Sequence, residues 1–282
     1  MRGYPARPVS LMSLARQTLE PLVFPCVMGV LNVTPDSFSD GGLYADPRSA
    51  VDRALAMRAQ GAALIDVGGE STRPGAQPVS RAEEMRRVLP VVEALVAELD
   101  CPIAVDTSEP AVMRAALAAG AQVINDMRAL VRPGALQAVV EGGGTAILGH
   151  WGAHNASAGP PRYEHVVHEV CTTLQQRCAV ARDAGVPTIW LDPGFGFHKD
   201  LTHNMALLRE LAAVVGLGYP VVVGFSRKSM LGLLTGRAVH DRLAAGLAAA
   251  ALAVLQGASV VRTHDVAETV DVLRVVRAYD AS

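Results

Sequence analysis

The chain lacks a surplus of charge of either sign: 25 Lys and Arg stand against 27 Asp and Glu, a formal net charge of −2. So even a balance offers no electrostatic footprint for nucleic acid or for a membrane surface. Aromatic residues are scarce, at 4 %. The hydrophobic half of the sequence is therefore mostly Ala, Val and Leu, which suits helices lying on strands. No apolar run reaches the length of a membrane span. The four cysteines, Cys26, Cys101, Cys171 and Cys178, show no CxxC spacing and are expected to be reduced thiols of a cytoplasmic protein. Cys171 and Cys178 fall on one helical segment as two core positions. No acidic residue precedes Glu20, while Arg2, Arg7 and Arg16 do. Pro5, Pro8 and Pro21 spoil the amphipathic helix that a transit peptide would need. Residues 1–25 are thus expected to form an irregular leader or a short hairpin.

What is present is alternation. Apolar runs of strand length are expected at 26–32, 62–67, 103–106, 122–125, 145–148, 188–192, 220–224 and 259–262. Helical patterns lie near 47–60, 80–99, 110–120, 134–141, 163–184, 202–215, 229–234, from 241 onward, and 266–279. Ser80 and Glu83 have the spacing of a capping box, and Pro110 suits the first position of a helix. Eight strand–helix units without a large insertion predict an α/β fold, a single-domain (β/α)8 TIM barrel over residues 26–282. An open doubly wound sheet is the alternative, and it would leave long apolar edge strands exposed.

In such a barrel the chemistry gathers at the C-terminal ends of the strands. The first strand stops at Asn32 and enters a loop rich in Pro, Asp, Ser and Gly, which needs special backbone angles. The second ends in Asp66-Val-Gly-Gly-Glu-Ser-Thr-Arg-Pro-Gly-Ala76, the third at Asp106-Thr107, the fourth at Asn125-Asp126 and the fifth at Gly149-His150. The sixth runs into Asp192-Pro-Gly-Phe-Gly-Phe197, the seventh into Gly224-Phe-Ser-Arg-Lys-Ser229, and the eighth gives Arg262-Thr-His-Asp265. One polar strand end is usually a turn former, and Asn32 alone could cap a turn. Polar groups converging from all eight ends are hard to explain as caps.

These groups divide by chemistry. Asp106, Asn125, Asp192 and Lys228 offer carboxylates, an amide and an ammonium toward the barrel centre. They could match a flat heterocycle with alternating donors and acceptors, since a carboxylate accepting two parallel N–H bonds is a strong, directional contact. Buried charges need such partners. Asn32, Arg73, Arg262 and His264, with Ser71 and Thr72 nearby, are cationic and rich in donors, as a phosphate or diphosphate site would be. Asp36 sits oddly against an anion, but with Asn32 it could supply oxygen to Mg2+, which keeps several waters and bridges phosphates. Asp36 could equally be a turn residue after Pro35.

The stretches 27–42, 65–76, 105–107, 124–126, 191–197, 226–232 and 261–266 together resemble the dihydropteroate synthase family of pterin-binding enzymes. They fall in the same order, from about Val27 to the end of the chain. The most specific pieces are Asn-Val-Thr-Pro-Asp-Ser-Phe-Ser-Asp-Gly-Gly from Asn32 and Gly-Gly-Glu-Ser-Thr-Arg-Pro-Gly-Ala from Gly68. The resemblance implies that 6-hydroxymethyl-7,8-dihydropterin diphosphate is condensed with p-aminobenzoate, releasing diphosphate and 7,8-dihydropteroate. It implies a pterin held by Asp106, Asn125, Asp192, Lys228 and Arg262 with Phe197 near the ring. The diphosphate would lie at Asn32, Thr72, Arg73, Arg262 and His264, with Mg2+ on Asn32 and Asp36. Phe38, Thr72, Arg73, Pro74, Lys228 and Ser229 would shape a p-aminobenzoate pocket that is also a sulfonamide target. Asn32, Asp36, Arg73, Lys228, Arg262 and His264 would carry the catalysis. Preorganised cations would stabilise the departing diphosphate, the electron-rich pterin would favour dissociative substitution, and closing loops would exclude water.

Three departures from the family pattern stand out. Gly149 replaces a methionine that commonly packs on the pterin. Met127-Arg128-Ala129 follows Ile-Asn-Asp in place of a small pair, and His198 stands where a small residue is common. The helix 243–255 is apolar nearly all round, which predicts a homodimer contact, with cover by the leader as the alternative. Rival functions are the pterin domain of a corrinoid-linked methyltransferase, which would lack the diphosphate loops, and a non-catalytic pterin-binding paralogue, which would lose Asp36, Arg73 or Lys228.

Overall fold

The computed structural model describes residues 22–34, 47–70, 79–152 and 162–280. Eight strands alternate with helices: β1 Cys26–Asn32, α1 Pro47–Ala59, β2 Leu64–Gly68, α2 Arg81–Glu98, β3 Ile103–Asp106, α3 Pro110–Ala118, β4 Val123–Asp126 and α4 Ala135–Gly142. The second half runs β5 Thr145–Gly149, α5 Val166–Asp183, β6 Thr188–Asp192, α6 Leu201–Arg209, α7 Leu211–Val215, β7 Val222–Gly224, α8 Ser229–Thr235, α9 Leu243–Leu255, β8 Val260–Thr263 and α10 Val266–Asp280. All pairings are parallel, in the order β6-β5-β4-β3-β2-β1-β8-β7. The ring closes through one bridge, Leu191 to Val221, with Leu191 N donating to the Pro220 carbonyl at 2.9 Å. Pro220 has no N–H to continue the ladder, so β7 starts two residues later than its apolar run.

The strands read as unbroken apolar runs because both faces are buried. One set of alternate residues, including Val27, Leu31, Ile65, Val67, Ile103, Val105, Ile124, Leu148, Leu191 and Val261, packs outward on the helices. The other set points into the ring. Cys26, Met28, Leu64, Ala104, Val123, Ile147, Trp190, Val222 and Val260 fill its N-terminal half as a separate apolar plug. Two residues further along, the inward positions become Asp66, Asp106, Asn125, Asp192 and Arg262. The side-chain period of two thus converts an apolar floor into a polar chamber one step nearer the C-terminal mouth.

Local signals hold with adjustments. Ser80 caps α2 by accepting from Glu83 N at 3.3 Å, but the Glu83 carboxylate turns to Arg86 and Arg87 instead of back to Ser80. Pro110 opens α3. The expected single helix over 202–215 is two, α6 and α7, parted at Glu210, whose backbone leaves helical geometry. α5 starts at Val166, three residues after the expected start, and α9 starts at Leu243 rather than 241. Cys178 is buried and Cys171 packs beside the core. All four cysteines are unpaired. Of the expected leader, residues 1–21 lie outside the described residues.

Candidate active site

β8 brings Arg262 to the inner face, and its guanidinium spans the ring. Nε donates to Asp66 Oδ2 at 2.6 Å and Nη2 donates to Asp106 Oδ2 at 2.8 Å. Asn125 Nδ2 donates to the same Asp66 oxygen at 3.1 Å. Asp66 is fully buried and Asn125 nearly so. Their remaining oxygens, Asp66 Oδ1 and Asn125 Oδ1, have no partner among the described residues. Each such buried acceptor costs about 1–3 kcal/mol when left unsatisfied, so the chamber is built to receive donors. Burial pushes the Asp106 carboxyl up to about 7; Arg262 opposes this, and the charges of Asp66 and Asp126 add to it. Burial also weakens the Arg262 charge, but Asp66 and Asp106 outweigh it and hold the guanidinium above its ordinary value.

Asp192 ends β6, and its Oδ1 accepts the Gly194 N–H at 2.7 Å. Burial pushes this carboxyl up, while the Lys228 charge pulls it down. Lys228 is the N-cap residue of α8, so Ser229 opens that helix. Its ammonium donates to the Phe195 carbonyl and lies 4.9 Å over the Phe197 ring. Burial pulls Lys228 down to about 8, against the pull of Asp192. Asp192 and Arg262 act electrostatically on each other, as two groups of one chamber.

The rim above β1 and β8 carries a relay. Asn32 Nδ2 lies 3.3 Å from His264 Nε2, and His264 Nδ1 lies 3.0 Å from Ser226 Oγ. Ser226 in turn donates to Asp265 Oδ2 at 3.1 Å. Arg227, beside it, has φ +63° and pairs with Asp265 at 3.4 Å. A non-glycine residue held in the left-handed region costs of order 1–3 kcal/mol and marks sites where geometry matters more than stability.

Asp36, Phe38, Ser71, Thr72, Arg73 and Pro74 lie outside the described residues. The other sequence-named residues, Asn32, Asp106, Asn125, Asp192, Phe197, Lys228, Ser229, Arg262 and His264, all stand at or just past the C-terminal strand ends. Arg262 is bonded to the carboxylates of the chamber, so it joins the heterocycle-facing group, to which the resemblance also assigns it. The sequence reading missed Asp66 as a site residue, although the inward parity of Leu64, Asp66 and Gly68 marks it. Asn125 is among the sequence-named site residues and Asp126 is not. Asp126 points away, accepting Ser108 Oγ at 2.5 Å and the Arg128 and Leu130 amides at 2.9 and 2.8 Å.

The departures form contacts of their own. Gly149 faces inward on β5, where a Cβ would lie 2.7 Å from Met127 Sδ. The Met127 thioether therefore occupies the space that a side chain at 149 would fill. Arg128 lies 4.8 Å over the Trp151 ring, and Trp151 packs on Phe197 at 4.9 Å and on His198 at 5.6 Å. His198 adopts φ +46°, the region that favours glycine.

A model of the family described as "Pterin binding enzyme" matches residues 28–264. The chain is 47% identical over 267 residues to the dihydropteroate synthase of Escherichia coli (strain K12), covering 94% of this chain and 95% of that relative. Among solved structures, Xanthomonas albilineans dihydropteroate synthase with 4-aminobenzoic acid aligns with a TM-score of 0.86 at 48% identity, over 92% of this chain and 94% of the other. The Xanthomonas albilineans enzyme in complex with 7,8-dihydropteroate aligns with a TM-score of 0.84 at 45% identity, over 92% and 95%.

Proposed function

The chain belongs to the dihydropteroate synthase family, and from that membership we propose how its site performs the reaction. The reaction joins 6-hydroxymethyl-7,8-dihydropterin diphosphate to p-aminobenzoate, giving 7,8-dihydropteroate and diphosphate. The observation that carries the site reading is the pair of unsatisfied buried oxygens, Asp66 Oδ1 and Asn125 Oδ1, in the chamber that also holds Asp106, Asp192 and Arg262. Acceptors and carboxylates at that depth suit the N–H-rich edge of an amino-pyrimidinone ring. Asp106, Asn125 and Asp192 take that edge, with Arg262 and Lys228 balancing their charge and Phe197 against the ring.

The diphosphate lies toward the rim, at Asn32, Thr72, Arg73 and His264, with Arg262 reaching it from the chamber. The Asn32 amide nitrogen is turned to His264, which leaves its oxygen as a hard donor suited to Mg2+, with Asp36 as the second ligand. Bound there, Mg2+ supplies charge neutralisation to the leaving group. The C–O bond to diphosphate breaks first, and the pterin ring shares the positive charge left on the methylene carbon. The neutral arylamine, held at Phe38, Thr72, Arg73, Pro74, Lys228 and Ser229, then forms the C–N bond and gives up one proton. Donors fixed before the reaction stabilise the growing anion without reorganising. The same arylamine pocket is the one sulfonamides would occupy.

Incubating the purified protein with the pterin diphosphate, p-aminobenzoate and Mg2+ tests this. Dihydropteroate and diphosphate should appear in equal amounts, and pterin binding without turnover would favour a non-catalytic paralogue. A homodimer joined through the exposed face of α9 is supported by Leu252 and Leu255, 52% and 47% exposed, on a helix packed against α10, which itself exposes Val275 and Tyr279. No helix among the described residues is long and apolar enough to cross a membrane. A cytoplasmic setting fits that and the four unpaired thiols. The same reading takes residues 26–282 as one barrel domain and residues 1–25 as a leader.

A further inference from the structure

Lys199 is almost fully buried, yet among the described residues it makes no ion pair. Its ammonium donates to three backbone carbonyls, those of Gly194 at 3.0 Å, His150 at 3.2 Å and Phe197 at 3.2 Å, and lies 3.0 Å from His150 Nδ1. The Tyr163 ring is 5.9 Å away. Burial pulls its pKa down to about 7, with Asp192 pulling the other way and Lys228 adding to the fall. A buried cation held without an ion pair is costly, and it is kept here as the shared donor of three backbone carbonyls. The cost is borne at one particular crossing. A Cβ on Gly194 would lie 1.9 Å from the His150 carbonyl oxygen, so the β5 and β6 end segments touch backbone to backbone, and Lys199 joins them there.

The segment so joined carries two groups of the chamber. Gly194 N–H holds Asp192 Oδ1 at 2.7 Å, and Phe197 is the ring beneath Lys228. From the other side Asn204 accepts Gly196 N–H at 2.7 Å and donates to the Lys199 carbonyl at 2.9 Å. We propose that Lys199 is a positioning residue for the pterin: by tying the Gly194 and Phe197 carbonyls to that of His150, it sets the angle at which Asp192 and Phe197 meet the ring. This rests on the reading of the chamber as the pterin site. It assigns the consequence to the pterin first, because Asp192 and Phe197, the groups it positions, are the ones read as holding that substrate.

The test is steady-state kinetics and direct pterin binding with wild type and Lys199→Met. The KM for the pterin diphosphate should rise by about tenfold or more, with kcat and the KM for p-aminobenzoate at saturating pterin changed by less than about threefold. No change, or equal losses on both substrates, overturns the inference. Should Lys199→Met fail to fold, Lys199→Gln, which keeps two N–H donors without the charge, is read by the same split and decided by the same outcomes. Wild-type protein that binds no pterin overturns the chamber reading and this inference with it. Wild-type turnover beside an unaffected Lys199→Met overturns the inference alone.

Discussion

Arg262 on β8 donates from Nε to Asp66 on β2 at 2.6 Å, with β1 lying between the two strands. Such a bond is possible because the sheet curls, so inward side chains of non-adjacent strands converge. Arg262 is the cation against which two carboxylates of the chamber are balanced, Asp66 fully buried and Asp106 partly so. Arg262→Met should therefore cost about 3–5 kcal/mol of stability, the penalty for leaving buried charge unpaired. Urea unfolding at neutral pH measures it. Adding Asp66→Asn should return part of the loss, and a single-variant loss below about 1 kcal/mol would contradict the pairing.

Lys228 titrates at about 8 against an ordinary value of 10.5. Between those values the unfolded chain binds the proton and the folded chain does not, so this group's contribution to stability rises with pH while its charge is lost. Activity should run the other way. The kcat/KM for the pterin diphosphate should fall as pH passes through about 8, because the cation beside Asp192 disappears. Lys228→Arg should push the fall to higher pH, since a guanidinium does not titrate there. A wild-type pH–rate profile that stays flat well above pH 8 would count against the assignment.

Gly149 has no room for a side chain. A Cβ there would lie 2.5 Å from Met127 Cα as well as 2.7 Å from Met127 Sδ. Gly149→Ala should cost about 1–3 kcal/mol through overpacking. Met127→Ala added to it should recover only part, because the backbone contact remains. Thermal unfolding of the two variants beside wild type checks this, and full recovery in the double variant would show that the side chain alone sets the limit.

Leu252 and Leu255 leave apolar side chains of α9 open to solvent. Leu252→Glu with Leu255→Glu should convert a dimer to a monomer while changing the stability of the isolated barrel by no more than about 0.5 kcal/mol per site. Light scattering at micromolar concentration reads the outcome. A wild-type protein that is already a monomer removes the dimer proposal.

Strand existence, strand order along the chain and the choice of a barrel were legible in the sequence. Buried strands must be apolar on both faces, and their ends announce themselves by turning polar, as Asn32, Asp106, Asn125 and Asp192 do. The local stop and start signals at Ser80 and Pro110 acted through their own backbones and needed no tertiary partner. What the sequence could not decide was which neighbour each polar side chain would choose. Arg262 read both as a phosphate-site cation and, by resemblance, as a pterin residue, and only closure of the ring made Asp66 and Asp106 its bonding partners. Asn125 is legible as a site residue, but that its neighbour Asp126 turns to the Ser108 hydroxyl depends on which way the folded strand faces. Nothing local marks Lys199: its role depends on two loop backbones from different strands meeting at the Gly194–His150 crossing, a contact that exists only once the ring of strands is formed.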